Sequence, residues 1–424
     1  MKVAFRTNLS KDIKTIPTSQ TIALKYVDCF YDHIMNDPNR SQLFKETLKK
    51  AKEGDLYNYD NWLLSHNIVP KALRLDYIRD QFINKNPEFY IGNDQEFLLI
   101  AEKIGLYLNK KPNSYQIPII GCKDFGKSVF LSLIFKLGSA NAPMNMEKKF
   151  TLESYYGKNN LPGASYSQQS NTAVRLIDDC GQYNEIIYTI NNLIKEHGEA
   201  LFITTWDPED WLYNYETFKD DLPFEDVIIL KPFSDSELSA YLDRLFDLIY
   251  LTSSRYLPSP NLHISDLVDY EKYSKEKMVK ILIKFTLGIP MVITDLMFRC
   301  FKIMFKLEKT ILDESIVKLA AEGMHLEDQN KEIEELTPQH IKILKRLLFD
   351  KNREGTRPVD LLDEFDLDKS TISYHLSKLV EKKIIDVRKM GKSSFYKVRD
   401  NLIPFIQLKL LNTISIKKQS IKEE

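Results

Sequence analysis

Apolar positions recur at two different periods along this chain, and the places where the period changes divide it into parts. In residues 1–88 the spacing is three and four. "SQTIALKYVDCFYDHIM" keeps it behind Thr18 and Ser19 as candidate caps, "RSQLFKETLKKAKEGD" until Gly54, and "PKALRLDYIRDQFINKNP" until Pro87. This predicts three amphipathic helices. They carry no visible chemistry, so packing, self-association or a protein partner is their expected role.

From 89 to 233 the pattern changes. "EFYIGNDQEFLLIAEKIGLYL" reads as a short extended piece, a turn and a helix. "YQIPIIG", "NTAVRLIDDCG", "EALFITTWD" and "DVIILKPFS" read as buried strands, with helices expected over "KSVFLSLIFKLG" and "EIIYTINNLIKEHG". Strands alternating with helices imply a parallel sheet with helices on both faces. From 234 to 330 four helical patterns follow. The acidic "LEDQNKEIEE" reads as a linker, and "SYSQQSN" as a surface loop. Residues 331–400 read as three helices and a hairpin, and 401–424 as a C-terminal tail.

Length and composition narrow this picture only a little. At 424 residues the chain exceeds one ordinary core, so about two to four domains are expected. The net charge of -1 excludes a chain that is polybasic as a whole, and any nucleic-acid surface must be local. Cys29, Cys122, Cys180 and Cys300 form no CxxC pair, which argues against a zinc cage or a disulfide framework. No apolar run approaches the roughly 20 residues of a membrane span. The expectation is a soluble, cytoplasmic protein with no membrane partner.

The chemistry begins at "IIGCKDFGKSVFLSLI". Gly121, Gly126, Lys127 and Ser128 match G-x-x-x-x-G-K-[ST] in full, behind a strand over Ile117–Ile120 and ahead of an apolar helix. Glycines permit close approach of phosphate oxygens, successive N–H groups face one concavity, and the helix adds its positive end. The expected cradle for ATP or ADP runs through Gly121, Cys122, Lys123, Asp124, Phe125, Gly126, Lys127, Ser128 and Val129. Lys127 supplies a solvent-facing charge for the terminal phosphates, and Ser128 a hydroxyl for Mg²⁺. The alternative is an ordinary glycine-rich strand-to-helix turn. Asp178 and Asp179 end the next strand, Asp178 as a candidate Mg²⁺ ligand and Asp179 as the group that polarises a water. The alternative is a solvated pair at a strand end. Thr205 closes a further strand next to Thr204, where a hydroxyl can orient that water.

In their order, "GCKDFGKS", "VRLIDD", "FITT", "LKPFSDSEL" and "TLGIPMVITDLM" resemble AAA+ and STAND-type ATPases, above all archaeal origin-recognition-type initiators and archaeal STAND ATPases. The resemblance covers about residues 88–400. It implies a helical lid after the Leu230–Glu237 strand exit, a turn at Gly288–Pro290 whose Pro290 borders the nucleotide, and Tyr90 and Ile91 against the adenine. Two departures stand out. Met291 occupies the place where such initiators carry an arginine, and Arg299 is a poor substitute. No arginine occurs between Arg175 and Arg244, where Lys219 is a candidate stand-in, so turnover is expected to be slow.

"VDLLDEFDLDKSTISYHLSKLVEKKIIDVRKMGKSSFYKVR" has the order of a winged helix-turn-helix and resembles MarR/ArsR-like regulators. Leu361, Leu362 and Phe365 face inward on one helix; Ile372, Leu376 and Leu379 do so on the next, with Ser370 as its candidate cap. Between Lys369 and Arg399 nine basic residues meet only Glu381 and Asp386. That local excess suits double-stranded DNA. Lys369, Thr371, Ser373, Tyr374 and Lys378 are the candidate groove contacts, and Arg388, Lys389 and Lys392 the candidate backbone contacts. The alternative is a protein-contact module. His375 and His340 lack metal-ligand neighbours in sequence and read as surface or groove residues.

The fold class expected is therefore an α/β P-loop NTPase of AAA+ type, with helical lid, helical N-terminal extension and C-terminal winged helix-turn-helix. Two functions fit: an ATP-switched DNA binder of initiator type, or a STAND-type regulator acting through protein partners. A small-molecule kinase fits poorly, because such enzymes need a substrate lid in place of a basic helix-and-hairpin module.

Overall fold

The computed structural model describes residues 55–66, 68–81, 90–110, 115–141, 150–153, 174–182, 201–218, 227–251, 275–309, 311–350, 355–365 and 367–423. The helices expected before residue 55 and over "EIIYTINNLIKEHG", the "SYSQQSN" loop and Lys219 lie outside these. Elements are numbered within the described residues.

The centre is a parallel sheet in the order β2-β3-β4-β1-β5. Its strands are β1 (Tyr115–Ile120), β2 (Phe150–Glu153), β3 (Val174–Ile177), β4 (Leu201–Trp206) and β5 (Ile228–Ile229). Every residue of β3 and β4 is buried, which suits a strand covered on both faces. The register decides the chemistry. Ile120 stands opposite Trp206, so whatever follows β1 faces whatever follows β4. Ile177 stands opposite Thr204, so Asp178 arrives beside Thr205. The parallel sheet expected from the alternating pattern is present. Helix α4 (Lys127–Asn141) leaves the glycine loop and packs on β2 and β4.

Before the sheet come α1 (Asp55–Ser65), a 3₁₀ turn at Pro70–Ala72, α2 (Leu75–Asp80) and α3 (Asp94–Lys110). The continuous helix expected over "PKALRLDYIRDQFINKNP" is thus broken near its start, and α2 packs on the later helix Pro290–Lys306. Two elements had no counterpart in the sequence reading: β2, and α5 (Pro208–Phe218) directly behind β4.

Four helices follow: α6 (Asp235–Leu251), α7 (Lys275–Thr286), α8 (Pro290–Lys306) and α9 (Glu314–Gly323). The turn between α7 and α8 depends on Gly288. Its φ is 74°, and a Cβ there would lie 2.6 Å from the Phe233 carbonyl oxygen. Phe233 N–H donates to the Gly288 carbonyl at 2.9 Å, so the strand exit and this turn are in direct backbone contact.

The acidic segment expected as a linker is a helix, α10 (Leu326–Glu334), with Leu326 and Ile333 buried. Then come α11 (Pro338–Phe349), α12 (Pro358–Phe365), α13 (Lys369–Glu381) and the antiparallel hairpin β6 (Ile385–Met390) and β7 (Ser393–Val398). An antiparallel bridge from Thr356 to Tyr396 ties the approach to α12 against the hairpin. Leu361, Ile372, Leu376 and Leu379 are buried as expected. The cap of α13 is Asp368, not Ser370: its carboxylate accepts from the Thr371 N–H at 2.9 Å. The expected tail is α14 (Ile403–Glu423), with Leu402, Phe405, Ile406, Leu410, Leu411 and Ile414 buried against α5, α10 and α11. Among the described residues no single helix is long and apolar enough to cross a membrane.

Candidate functional site

A cavity of about 490 Å³ opens at the C-terminal edge of the sheet, where open α/β sheets place ligands. Lys123, Asp124, Phe125, Gly126, Lys127, Ser128 and Val129 line one side, and Asp178, Asp179 and Asp207 line the strand ends. Tyr90, Ile91 and Pro290 line the same cavity, as does Met291, which stands where the resemblance calls for an arginine. Gly121 and Cys122 stand behind it. The Cys122 side chain is buried, which pushes its thiol pKa up.

Lys127 is not the solvent-facing charge expected. Its ammonium donates to the carbonyls of Gly121 at 2.8 Å and Cys122 at 3.0 Å, and to Asp207 at 2.7 Å. The lysine and aspartate side chains are only 11% and 16% exposed. Burial by itself disfavours the ammonium, but the Asp207 carboxylate, with Asp179 adding to it, outweighs burial and holds the pKa above the ordinary lysine value. Asp207 was absent from the sequence reading. It directly follows β4, and the register places it beside the loop that follows β1.

Thr205 also differs from expectation. Its hydroxyl donates to Asp178 at 2.6 Å and accepts from the Asp179 N–H at 2.7 Å, and the residue is fully buried. Its proton is committed, and it is not on the cavity wall, so it positions the two aspartates and does not itself orient a water. Asp179 adopts φ 55°, a left-handed conformation that aspartate tolerates, and faces the cavity. Buried Asp178 and the cavity-lining Ser128 together offer the hard oxygen donors that Mg²⁺ prefers.

The "YIGND" segment is held by the strand exit. The Asn93 amide donates to the Tyr90 hydroxyl at 3.2 Å, and its carbonyl oxygen accepts from the Lys231 N–H at 2.7 Å. Glu237 accepts from the N–H groups of Asn93 and Ser234. Asn93 and Glu237 therefore present Tyr90 to the cavity. Burial pushes the Tyr90 hydroxyl pKa up, so the ring faces the site neutral.

Two parts of the wall come from segments to which the sequence reading gave no site role. Arg79, on α2, lines the cavity and pairs with Asp124 of the loop at 2.9 Å. From the far end of the chain, Gln407 on α14 reaches the loop: its carbonyl oxygen accepts from the Lys123 N–H, and its amide donates to Glu209 at 2.9 and 3.0 Å. Gln407 and Glu209 are each 1% exposed. Asp350 and Lys397 of the C-terminal module also line the cavity.

That module carries the candidate basic face. Lys369, Arg388, Lys389 and Lys392 are exposed and make no ion pair among the described residues. Ser373 is exposed, and Tyr374 is 59% exposed. Several other charges in the module are satisfied internally. Lys378 pairs with Glu381 at 2.7 Å, Arg399 with Asp386 at 2.9 Å, Lys397 with Asp400 at 3.2 Å, and Lys382 with Glu332 and Glu335 of α10 and its end. The Thr371 hydroxyl donates to the cap Asp368 at 2.6 Å. Thr371 and Lys378 are thus already engaged, and the unpaired face is smaller than the sequence suggested.

No family model and no curated protein matches the sequence. Solved structures do. The chain is similar to the ORC1 protein of Aeropyrum pernix determined in complex with DNA, at 13% identity over 79% of this chain and 96% of that one, TM-score 0.40. It is similar to the ORC2 protein of the same organism in its ADPNP–ADP complexes, at 14% identity over 80% and 98%, TM-score 0.37. A third is the RuvB Holliday junction branch migration motor of Thermotoga maritima, at 15% identity over 75% and 95%, TM-score 0.34.

Proposed function

We propose that the chain is an ATP-dependent DNA-binding protein of the origin-recognition, replication-initiator type, with ATP acting as a slow-turnover conformational switch. The observation that carries this reading is Gln407. One buried side chain joins the phosphate loop, through the Lys123 N–H, to the last helix of the module that bears the exposed basic face. A ligand that shifts the loop changes that bond, and linkage requires that movement of the module changes ligand affinity in return.

In this reading ATP or ADP lies along the loop amides, with Lys127 at the phosphates and the base against Tyr90 and Ile91. Ser128 and Asp178 fit Mg²⁺, which when bound neutralises phosphate charge. Asp179 orients a water, and Thr205 holds Asp178 and Asp179 in register. Slow turnover follows from the lack of an arginine between Arg175 and Arg244, and on α8 Arg299 is exposed and turned to Asp295 at 3.2 Å. The C-terminal helices and hairpin act as a winged helix-turn-helix. Ser373 and Tyr374 approach base edges, Lys369 flanks them, and Arg388, Lys389 and Lys392 contact phosphates.

A second reading, a STAND-type regulator acting on protein partners, draws support from the internal pairing of Lys378, Lys382, Lys397 and Arg399. Nuclease protection on DNA flanking the protein's own gene, with and without ATP, separates them. A discrete footprint whose strength changes with ATP is the expected result; no footprint in either condition overturns the initiator reading.

A further inference from the structure

The phosphate loop contains a charge that works against its ligand. Asp124 lies in the middle of the loop at φ 66°, lines the cavity, and is anionic where a polyphosphate would enter. What offsets it comes from outside the sheet: the guanidinium of Arg79 donates to its carboxylate at 2.9 Å. The side chains are 43% and 21% exposed, so the pair sits at the rim of the cavity and not in the core. Arg79 is held there by its neighbour Ile78, which is 1% exposed, and by the packing of α2 on α8. A guanidinium has five N–H donors in a rigid fork, and the contact with Asp124 leaves others available on a residue that lines the same cavity.

From this juxtaposition we infer that Arg79 is a phosphate-binding residue of the nucleotide site, cancelling the Asp124 carboxylate and donating to the polyphosphate. The inference rests on the nucleotide reading above and assigns α2 to the site. It identifies the ligand class by charge: affinity gained through Arg79 grows with the number of phosphates.

Calorimetric titration of the full chain with ATP, ADP and adenosine tests it. Arg79→Gln keeps the stem and removes the charge. It should weaken ATP about tenfold or more, ADP less and adenosine least. Adding Asp124→Asn to Arg79→Gln should recover much of the loss, because asparagine tolerates the left-handed backbone and carries no charge. Asp124→Asn alone should tighten ATP, which keeps the test decisive if Arg79→Gln folds poorly. Equal affinities for ATP in wild type, Arg79→Gln and Asp124→Asn overturn the inference, as does a loss equal for ATP and adenosine. A wild-type chain that binds none of the three overturns the nucleotide reading itself, and this inference with it.

Discussion

Lys127 is at once the cation of the loop and the partner of Asp207, and the two roles separate by mutation. Lys127→Ala should abolish ATP binding in calorimetric titration. It should also lower unfolding stability by about 1–3 kcal/mol in urea, because a carboxylate only 16% exposed loses its cation. Adding Asp207→Asn should restore stability and leave ATP binding lost. Unchanged stability in the single variant would show that the pair contributes nothing. At this scale much was legible. The loop, Asp178 and Asp179 are marked by spacing and by their place at strand ends. Asp207 ends the "EALFITTWD" strand, but a lone acid there is ambiguous without the register, so the sequence assigns it no role. Thr205 shows the converse: the residue is in place, yet its proton already belongs to Asp178.

Elements were legible where their periodicity was clean. The apolar faces of α12 and α13 were read correctly because Leu361, Ile372, Leu376 and Leu379 stand at helical spacing. Helix α10 was missed because only Leu326 and Ile333 are buried within an acidic segment. Helix α14 was missed although Leu402, Ile406, Leu410 and Ile414 recur every four residues. The Gly288 turn carries a prediction. Gly288→Ala combines a left-handed φ with a 2.6 Å approach to backbone, so it should cost at least about 2 kcal/mol and lower the Tm by several degrees. An unchanged melting curve would mean that the two segments move apart freely. A second prediction concerns the α11–α13 contact, where the rings of His340 and His375 lie 5.1 Å apart edge to face. Burial, reinforced by the charges of His375 and Lys382, holds the His340 pKa below the ordinary value. The Lys382 charge is itself paired with Glu332 and Glu335. An unfolded histidine titrates near about 6.5, so below that pH the unfolded chain takes up the proton first. The stability contributed by neutral His340 is complete above that pH and declines as pH falls through the folded value. His340→Phe should melt like wild type at pH 7.5 and above it at pH 5; identical shifts at both pH values would exclude His340 as the titrating group.

For the molecule as a whole, the same module forms part of the cavity at the sheet edge and carries the unpaired basic face. Changing both Lys389 and Lys392 to Ala should weaken binding to all duplexes alike and make the salt slope shallower by roughly one to two units. Changing Ser373 and Tyr374 should cost the preferred site about 1–3 kcal/mol per base contact and random DNA less. Titrations of specific and random duplexes at several salt concentrations separate the two. If all four changes leave both slopes and both affinities as they were, this face does not read DNA.

The sequence by itself determined the glycine loop, the aspartates at the strand end, the alternation that makes a parallel sheet and the apolar faces of the C-terminal helices. These follow from backbone geometry and side-chain period, which act over a few residues. Only the tertiary structure decided that Lys127 meets Asp207, that Arg79 reaches Asp124, and that Gln407 lies against a loop residue 284 positions before it. It also decided which basic side chains stay unpaired. Those contacts depend on strand register and on how distant helices pack, and no local pattern encodes a pairing between segments that meet only in the folded chain.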